Sequence, residues 1–171
     1  LSNVSLYYGV SGGGSVSFQA DGSLVNTTND TFVRESAATI NFGGSPMELD
    51  DATIESALIS FPNMIGSGDG QIPAGSTIVS ASLSLWNDND PGNDPTIYIA
   101  THNWTELGAT WNTYDGTNAW GSAGGDYDTS INVTATGLGT TNANAVMDVS
   151  DFVQNWSDGG SNYGFLFYPG G

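Results

Sequence analysis

Six aromatic side chains and three carboxylates are the groups in this sequence best placed to do chemistry. Trp86 and Tyr98 fall on the outward register of two alternating runs, while Trp111, Tyr114, Trp120 and Tyr127 lie in or beside a polar, glycine-rich stretch at residues 112–129. Rings offered to water in polar surroundings stack on flat C–H faces. Sugars present such faces, with hydroxyls at the edge for Asn, Asp and Gln to bond. Asp88, Asp90 and Asp94 in NDNDPGND place oxygen ligands at alternating positions of a loop bent by Gly and Pro, and hard cations such as Ca2+ take that kind of donor. The loop lacks a terminal bidentate Glu, so a solvated acidic turn is its other reading. Asp126 with Asp128, and Glu48 with Asp50 and Asp51, form two further acidic groups, read as solvated. The single histidine, His102, counts outward with Tyr98, and with no Cys present neither a His-based triad nor a His- or thiolate-rich metal site can be assembled. Carboxylate pairs spaced for glycoside cleavage arise by number alone among 18 acids.

The elements that must hold these groups read as strands. Within residues 72–111, Val79, Ala81, Leu83 and Leu85 alternate with Ser80, Ser82, Ser84 and Trp86, and Ile97 and Ile99 alternate with Tyr98 and Ala100. A period of two means a strand with one buried face. The polar, Pro-containing residues 87–95 are expected to join the two runs as a hairpin, which would bring Trp86 and Tyr98 together on one outward face. Upstream, Val4, Leu6 and Tyr8 alternate, Gly12, Gly13 and Gly14 interrupt, and residues 16–18 resume an extended pattern before a turn at Asp21-Gly22. Residues 1–10 are thus either an ordinary strand or a detachable one on a glycine hinge, able to complete a neighbouring copy's sheet. Further strands are expected at 32–35, 57–61, 131–136 and around Phe165 and Phe167. Residues 148–156 carry the one helical pattern, with Ser150 as cap, Phe152, Val153 and Trp156 on one face, and Gly159 as stop. Many short strands and one short helix near the C-terminus read as an all-β sandwich or jelly roll. No internal repeat or linker divides it: residues 1–28 form an N-terminal extension of the domain at 29–171.

Length and charge narrow the partners. A chain of 171 residues can bury a core of its own. It carries one Arg, Arg34, no Lys, and a formal net charge of −17. That balance excludes phosphate-rich nucleic acid and docking on anionic membranes. It suits salty surroundings or bound divalent cations. No apolar run approaches the ~20 residues of a membrane-spanning helix. The Gly, Ser, Thr and Asn richness and the absent initiator Met fit an exported chain at the cell surface or outside it. Six N-x-Ser/Thr sequons, at Asn3, Asn26, Asn29, Asn103, Asn132 and Asn155, are what such a composition produces. Arg34 is expected in an internal ion pair.

Several short pieces recur in one order. They are TFVRE at 31–35, NFG at 41–43, IPAGSTI at 72–78 running into ASL at 81–83, WTE at 104–106 with ATWN at 109–112, DVS at 148–150 with VQNW at 153–156, and NYGF at 162–165. In that order and spacing the chain resembles the DNRLRE-domain family and its alginate-binding carbohydrate-module relatives over roughly residues 30–168. The resemblance implies an extracellular jelly roll without catalytic activity. Trp104, Trp111 and Trp156 fall in its motifs; Trp104 and Trp156 are read as core, Trp111 as core or surface. The strand at 55–61, basic in that family, carries Glu55 and Ser60 here, so the cations that would pair with uronate are missing. The expected function is a non-catalytic extracellular module that binds polysaccharide, neutral or Ca2+-bridged, through Trp86, Tyr98, Trp111, Tyr114, Trp120 and Tyr127. Asp88, Asp90 and Asp94 are its calcium ligands. The alternative is a structural subunit of an extracellular filament or surface layer, self-assembled through residues 1–10 and Ca2+.

Overall fold

The computed structural model describes residues 2–10, 15–18, 28–88, 92 and 94–169. Nine strands and one helix follow in the order β1 (Ser2–Val10), β2 (Ser15–Phe18), β3 (Asn29–Arg34), β4 (Glu55–Ser60), β5 (Ile78–Asn87), β6 (Thr96–Ala100), β7 (Tyr127–Thr134), β8 (Ala143–Asp148), α1 (Ser150–Ser157) and β9 (Phe165–Tyr168). They form two antiparallel sheets, β2-β1-β5-β8 and β3-β4-β9-β6-β7, packed as a sandwich. This is the all-β architecture the alternation implies. The described part of the N-terminal extension supplies β1 and β2, with β1 between β2 and β5. The glycine hinge at 12–14 and the turn at 21–22 lie outside the described residues. No helix among the described residues is long and apolar enough to cross a membrane.

The expected hairpin at 72–111 is not formed. β5 is paired along one edge to β1 and along the other to β8, so it has no edge left for β6, which pairs with β7 and β9 in the opposite sheet. β5 and β6 thus lie in opposite sheets, and the Asp51 carboxylate lies against Gly92, which falls between them in the chain. Alternation gave each strand a buried face without saying which sheet it joined. A second correction concerns Val79, which is 65% exposed rather than inward. Gly9 pairs with Ser80 and Val10 with Ile78, so Val79 is the extra residue of a bulge. Ile78 turns to the core instead, its N–H donated to the Gln154 side chain of α1 at 2.8 Å.

The main core lies between the sheets. Leu83, Leu85 and Met147 face Phe32, Ile59, Ile97, Phe165 and Phe167, and α1 closes one end with Phe152, Val153 and Trp156. The helix stops as expected, with Gly159 at φ 103° donating to the Trp156 carbonyl. Its N-terminus is held differently. The Asp148 carboxylate accepts the Ser150 N–H at 3.0 Å, and the Ser150 hydroxyl at 2.6 Å. That hydroxyl oxygen in turn accepts the Ala81 N–H at 2.8 Å, which ties the helix start to β5.

One feature of the five-stranded sheet matters most for the site. Every residue of β4 is buried, on both faces. The inner face feeds the main core through Ala57 and Ile59, and the outer face is covered by a second apolar cluster of Val33, Leu58, Ala100, Trp104, Ala109, Trp120 and Leu166. Residues 101–126, between β6 and β7, fold back over that face and make the cluster.

Charge is managed sparingly. Arg34 is ion-paired, as expected: its guanidinium bonds Glu55 and Glu48 and lies 5.2 Å from the centroids of Phe32 and Phe42. Burial still holds the Glu55 carboxyl above its ordinary value. Burial also raises Asp30, and raises Glu106, which Asp30 repels. Hydrogen bonds lower three others: Asp115 through the Asn118 N–H, Asp128 through the Ser130 N–H, and Asp148 through the Ser150 hydroxyl.

A raised carboxyl costs stability at neutral pH, and the cost vanishes below its ordinary value, 3.8 for Asp30 and 4.5 for Glu55 and Glu106. A lowered carboxyl contributes stability that is present above 3.8 and lost as pH falls through its depressed value. The melting temperature is therefore expected to rise from pH 7 toward about 4.5 and to fall again well below 3.8, self-repulsion at −17 reinforcing the first limb. A thermal melt series that declines steadily from pH 7 to 4.5 would contradict this.

Candidate ligand-binding face

The outer face of β9-β6-β7 carries three tyrosines on neighbouring strands. Tyr98 on β6 and Tyr168 on β9 stand diagonally, since Tyr98 pairs with Leu166 and Thr96 with Tyr168. Tyr127 opens β7 opposite Ala100, whose small side chain leaves room for the ring to lie over toward Tyr98. Tyr98 and Tyr127 stack at 4.4 Å with an interplanar angle of 20°, and Tyr168 tilts against Tyr127 at 5.4 Å. Burial, with the neighbouring Tyr168 and Tyr98 phenols, pushes the Tyr127 hydroxyl above its ordinary value. Tyr98 and Tyr127 are half-buried and Tyr168 is exposed. Because two of the rings cover one another, the group offers one outer ring face, several edges and three clustered hydroxyls.

Beside the tyrosines sits the excursion at 101–126. Its frame is backbone hydrogen bonding. Thr101 N–H donates to Asp126 O at 3.0 Å, Tyr114 N–H to Asn118 O at 3.0 Å, and Trp120 N–H to Asn112 O at 3.2 Å, with a bridge between Thr113 and Ala119. The tip at Asp115-Gly116 is held by the Asp115 carboxylate, which accepts the Thr117 and Asn118 N–H groups at 2.9 and 2.7 Å. The Asp126 carboxylate accepts the Gly121 and Ser122 N–H groups at 2.5 and 2.7 Å and lies 3.3 Å from His102 Nδ1. The His102 ring is tilted over Tyr114 at 4.8 Å and meets Trp120 edge-on at 5.9 Å.

These contacts redistribute the six expected ring residues. Tyr98, Tyr127, Tyr114 and Trp111 belong to one side of the sandwich, the last two half-buried along the rim of the second cluster. Trp86 does not join them: it is half-buried on the outer face of the other sheet, paired with Ser2 and Asn144. Trp120, expected as a surface ring in a polar loop, is only 6% exposed, and its Nε1 donates to Thr110 O at 2.9 Å. The polar residues around it supply backbone partners that let the loop close over the indole. Trp104 and Trp156 are core, as expected, and Trp104 Nε1 donates to Tyr163 O at 2.8 Å. His102, which counts outward with Tyr98, is half-exposed and packed against Tyr114 and Trp120.

Tyr168 belongs to the face and was not expected there. Counting by two from Phe165 and Phe167 sends Tyr168 outward, and Asp115-Gly116 is a hairpin-turn dipeptide that would have marked the small hairpin carrying Tyr114. Of the expected calcium ligands, Asp88 and Asp94 are exposed and Asp90 lies outside the described residues. Among the described residues no three His, Cys, Asp or Glu side chains gather as a metal site.

Gly124 fixes how the excursion sits. It adopts φ 91°, and a Cβ there would fall 2.6 Å from the Trp111 ring. Gly124→Ala is expected to shift Trp111 fluorescence and lower the melting temperature, both backbone strain and ring displacement acting. Trp120→Ala is expected to cost about 3–5 kcal/mol of unfolding free energy, the range for truncating a buried Trp. A loss below about 1 kcal/mol in urea titration would mean that the indole is not packed as described.

The sequence model of one family, carbohydrate-binding module family 96, matches residues 22–170, most of the chain. No curated protein and no solved structure matches it.

Proposed function

The chain belongs to carbohydrate-binding module family 96, a non-catalytic class, and from that premise we propose that it holds an extracellular polysaccharide through the tyrosine face. The reading is supported above all by Tyr98, Tyr127 and Tyr168 standing on three adjacent strands of one sheet. Such rings stack on the C–H faces of sugars while phenol hydroxyls and the exposed Asn132, opposite Tyr98, bond hydroxyl groups. Tyr114 and Trp111 extend the face along the excursion. The resemblance of the motifs above to DNRLRE-domain proteins supports a place outside the cell.

The charge selects among polysaccharides. The one guanidinium is spent on Glu48 and Glu55, there is no Lys, and Asp115 and Asp128 near the rings are held ionised by backbone N–H groups. A polyuronate would meet like charge with no cation to pair it. We therefore assign neutral polymers, with calcium needed for any anionic one. In affinity electrophoresis, soluble β-glucan or galactomannan is expected to retard the protein. Tyr168→Ala and Tyr98→Ala should each weaken retention about tenfold, as loss of a ring contact of 1–3 kcal/mol would. Trp86→Ala, on the other sheet, should leave retention unchanged. Retention lost only in Trp86→Ala would move the site to the opposite face.

A second reading, a filament or surface-layer subunit, draws support from β1. That strand is flanked on both sides in its sheet and joined to β2 by residues 11–14, three of them glycine, so exchange with a second copy would exploit pairing already in place. Calcium enters both readings at Asp88, Asp90 and Asp94. Light scattering with and without Ca2+ separates them. A monomer under both conditions supports the module, whereas Ca2+-dependent polymer lost on deleting residues 1–10 supports the filament. Chelator is expected to lower the melting temperature, and an unchanged value would remove structural calcium from either reading.

A further inference from the structure

We propose that His102 is a positioning residue for the polysaccharide face, setting Tyr114 and making ligand binding depend on the protonation of its ring. The inference rests on the reading above and adds its regulation.

Three neighbours surround the imidazole, and two of them are fixed. Asp126 is anchored by the Gly121 and Ser122 N–H groups, and its Oδ2 lies 3.3 Å from Nδ1. Trp120 is buried with its Nε1 bonded to Thr110 O. The third, Tyr114, is half-buried on the small hairpin, and its ring lies over the imidazole at 4.8 Å, tilted by 38°. The side-chain hydroxyl of Thr101 is 3.5 Å from Nδ1 and carries no charge. Among the described residues the titratable groups facing His102 are Asp126 and the Tyr114 phenol. Asp115, next to Tyr114 in the chain, turns its carboxylate to Thr117 and Asn118.

This is the chain's only histidine, and imidazole is the side chain whose charge changes between pH 5 and 8. In the neutral ring an Nδ1–H donates an ordinary hydrogen bond to Asp126. Protonation turns it into a charge-assisted one, roughly twice as strong. The same proton places a cation within ~6 Å of the Tyr114 ring centre, close enough for a cation–π attraction. With Asp126 and Trp120 held, the gain is felt by Tyr114, whose half-buried ring is drawn against the imidazole. Deprotonation removes that attraction and leaves the ring its edge-on contact with Trp120 at 5.7 Å, a looser hold. A ligand stacking on Tyr114 then pays the ordering that protonated His102 had already supplied.

The experiment has a ligand-free arm and a binding arm. In the first, proton NMR follows the His102 ring and the Tyr114 ring from pH 5 to 8 in the intact protein. The Tyr114 signals are expected to move with the His102 midpoint, and to stay still over this range in His102→Gln. In the second, affinity for soluble β-glucan is expected to fall about threefold from pH 5.5 to pH 8, what a cation–π contact at a half-exposed site supplies. His102→Gln, which keeps a donor toward Asp126 without the charge, should bind with one affinity at both pH values. Tyr114 signals that do not follow His102 overturn the inference whatever binds, and so does wild-type binding that is flat with pH. If Tyr114 tracks His102 while β-glucan and galactomannan are both ignored at either pH, the polysaccharide reading fails, and the coupling to binding with it.

Discussion

Val33, Leu58 and Leu166 point away from the space between the sheets, so the five-stranded sheet is apolar on both faces over its middle strands. An antiparallel sheet can leave one face in water only if that face is polar. Here the chain answers by sending residues 101–126 back over the outer side, where Trp104, Ala109 and Trp120 complete a second cluster. Part of the candidate ligand surface on this side is a by-product of that cover. The excursion ends where the cluster ends, and the rings left half-exposed along its margin are Trp111, Tyr114, Tyr127 and Tyr163.

The cover is stable because its polar groups find partners, within the stretch and on Asn41, Ala38 and Tyr163 beside it. Each carboxylate at its turns, Asp115 and Asp126, accepts backbone N–H groups that would otherwise face water or nothing, and each buried indole in it spends its N–H on a carbonyl. A stretch that looks structureless by composition thereby becomes rigid enough to hold rings in fixed positions. Rigid rings matter for a sugar-binding module, since ordering a loop on contact would cancel much of the stacking energy.

Charge acts at longer range. A single guanidinium, clamped between two carboxylates and lying over Phe32 and Phe42, is consumed in joining β3 to β4 and to the segment around Glu48. No other strong cation exists in the chain, so the surface answers to acids alone. Like-charge repulsion from this surface is the physical ground of the proposed preference for ligands without negative charge.

The sequence by itself determined most of the strands and the short helix, though not β8 or the outward turn of Val79, because side chains alternate at a period of two and recur at 3.6 whatever lies across from them. Motifs spread from Thr31 to Phe165 pointed to carbohydrate-module relatives, a relationship the family 96 match supports at that coarser level, and the lone cation implied that Arg34 had to be paired. Partnership between strands was beyond it. Residues 78–87 and 96–100 look like two arms of a hairpin, yet hydrogen-bonding edges are allotted by the whole sheet, and β1 and β8 had taken both edges of β5. Only the tertiary structure therefore put Trp86 on one side of the sandwich and Tyr98 on the other. It alone drew Trp120 under a loop of polar residues, since burial of an indole depends on what folds over it and leaves no mark on its sequence neighbours. His102 gained its neighbours the same way, Tyr114 being brought to it by the Thr105 N–H to Tyr114 O bond and Asp126 by the Thr101 N–H to Asp126 O bond.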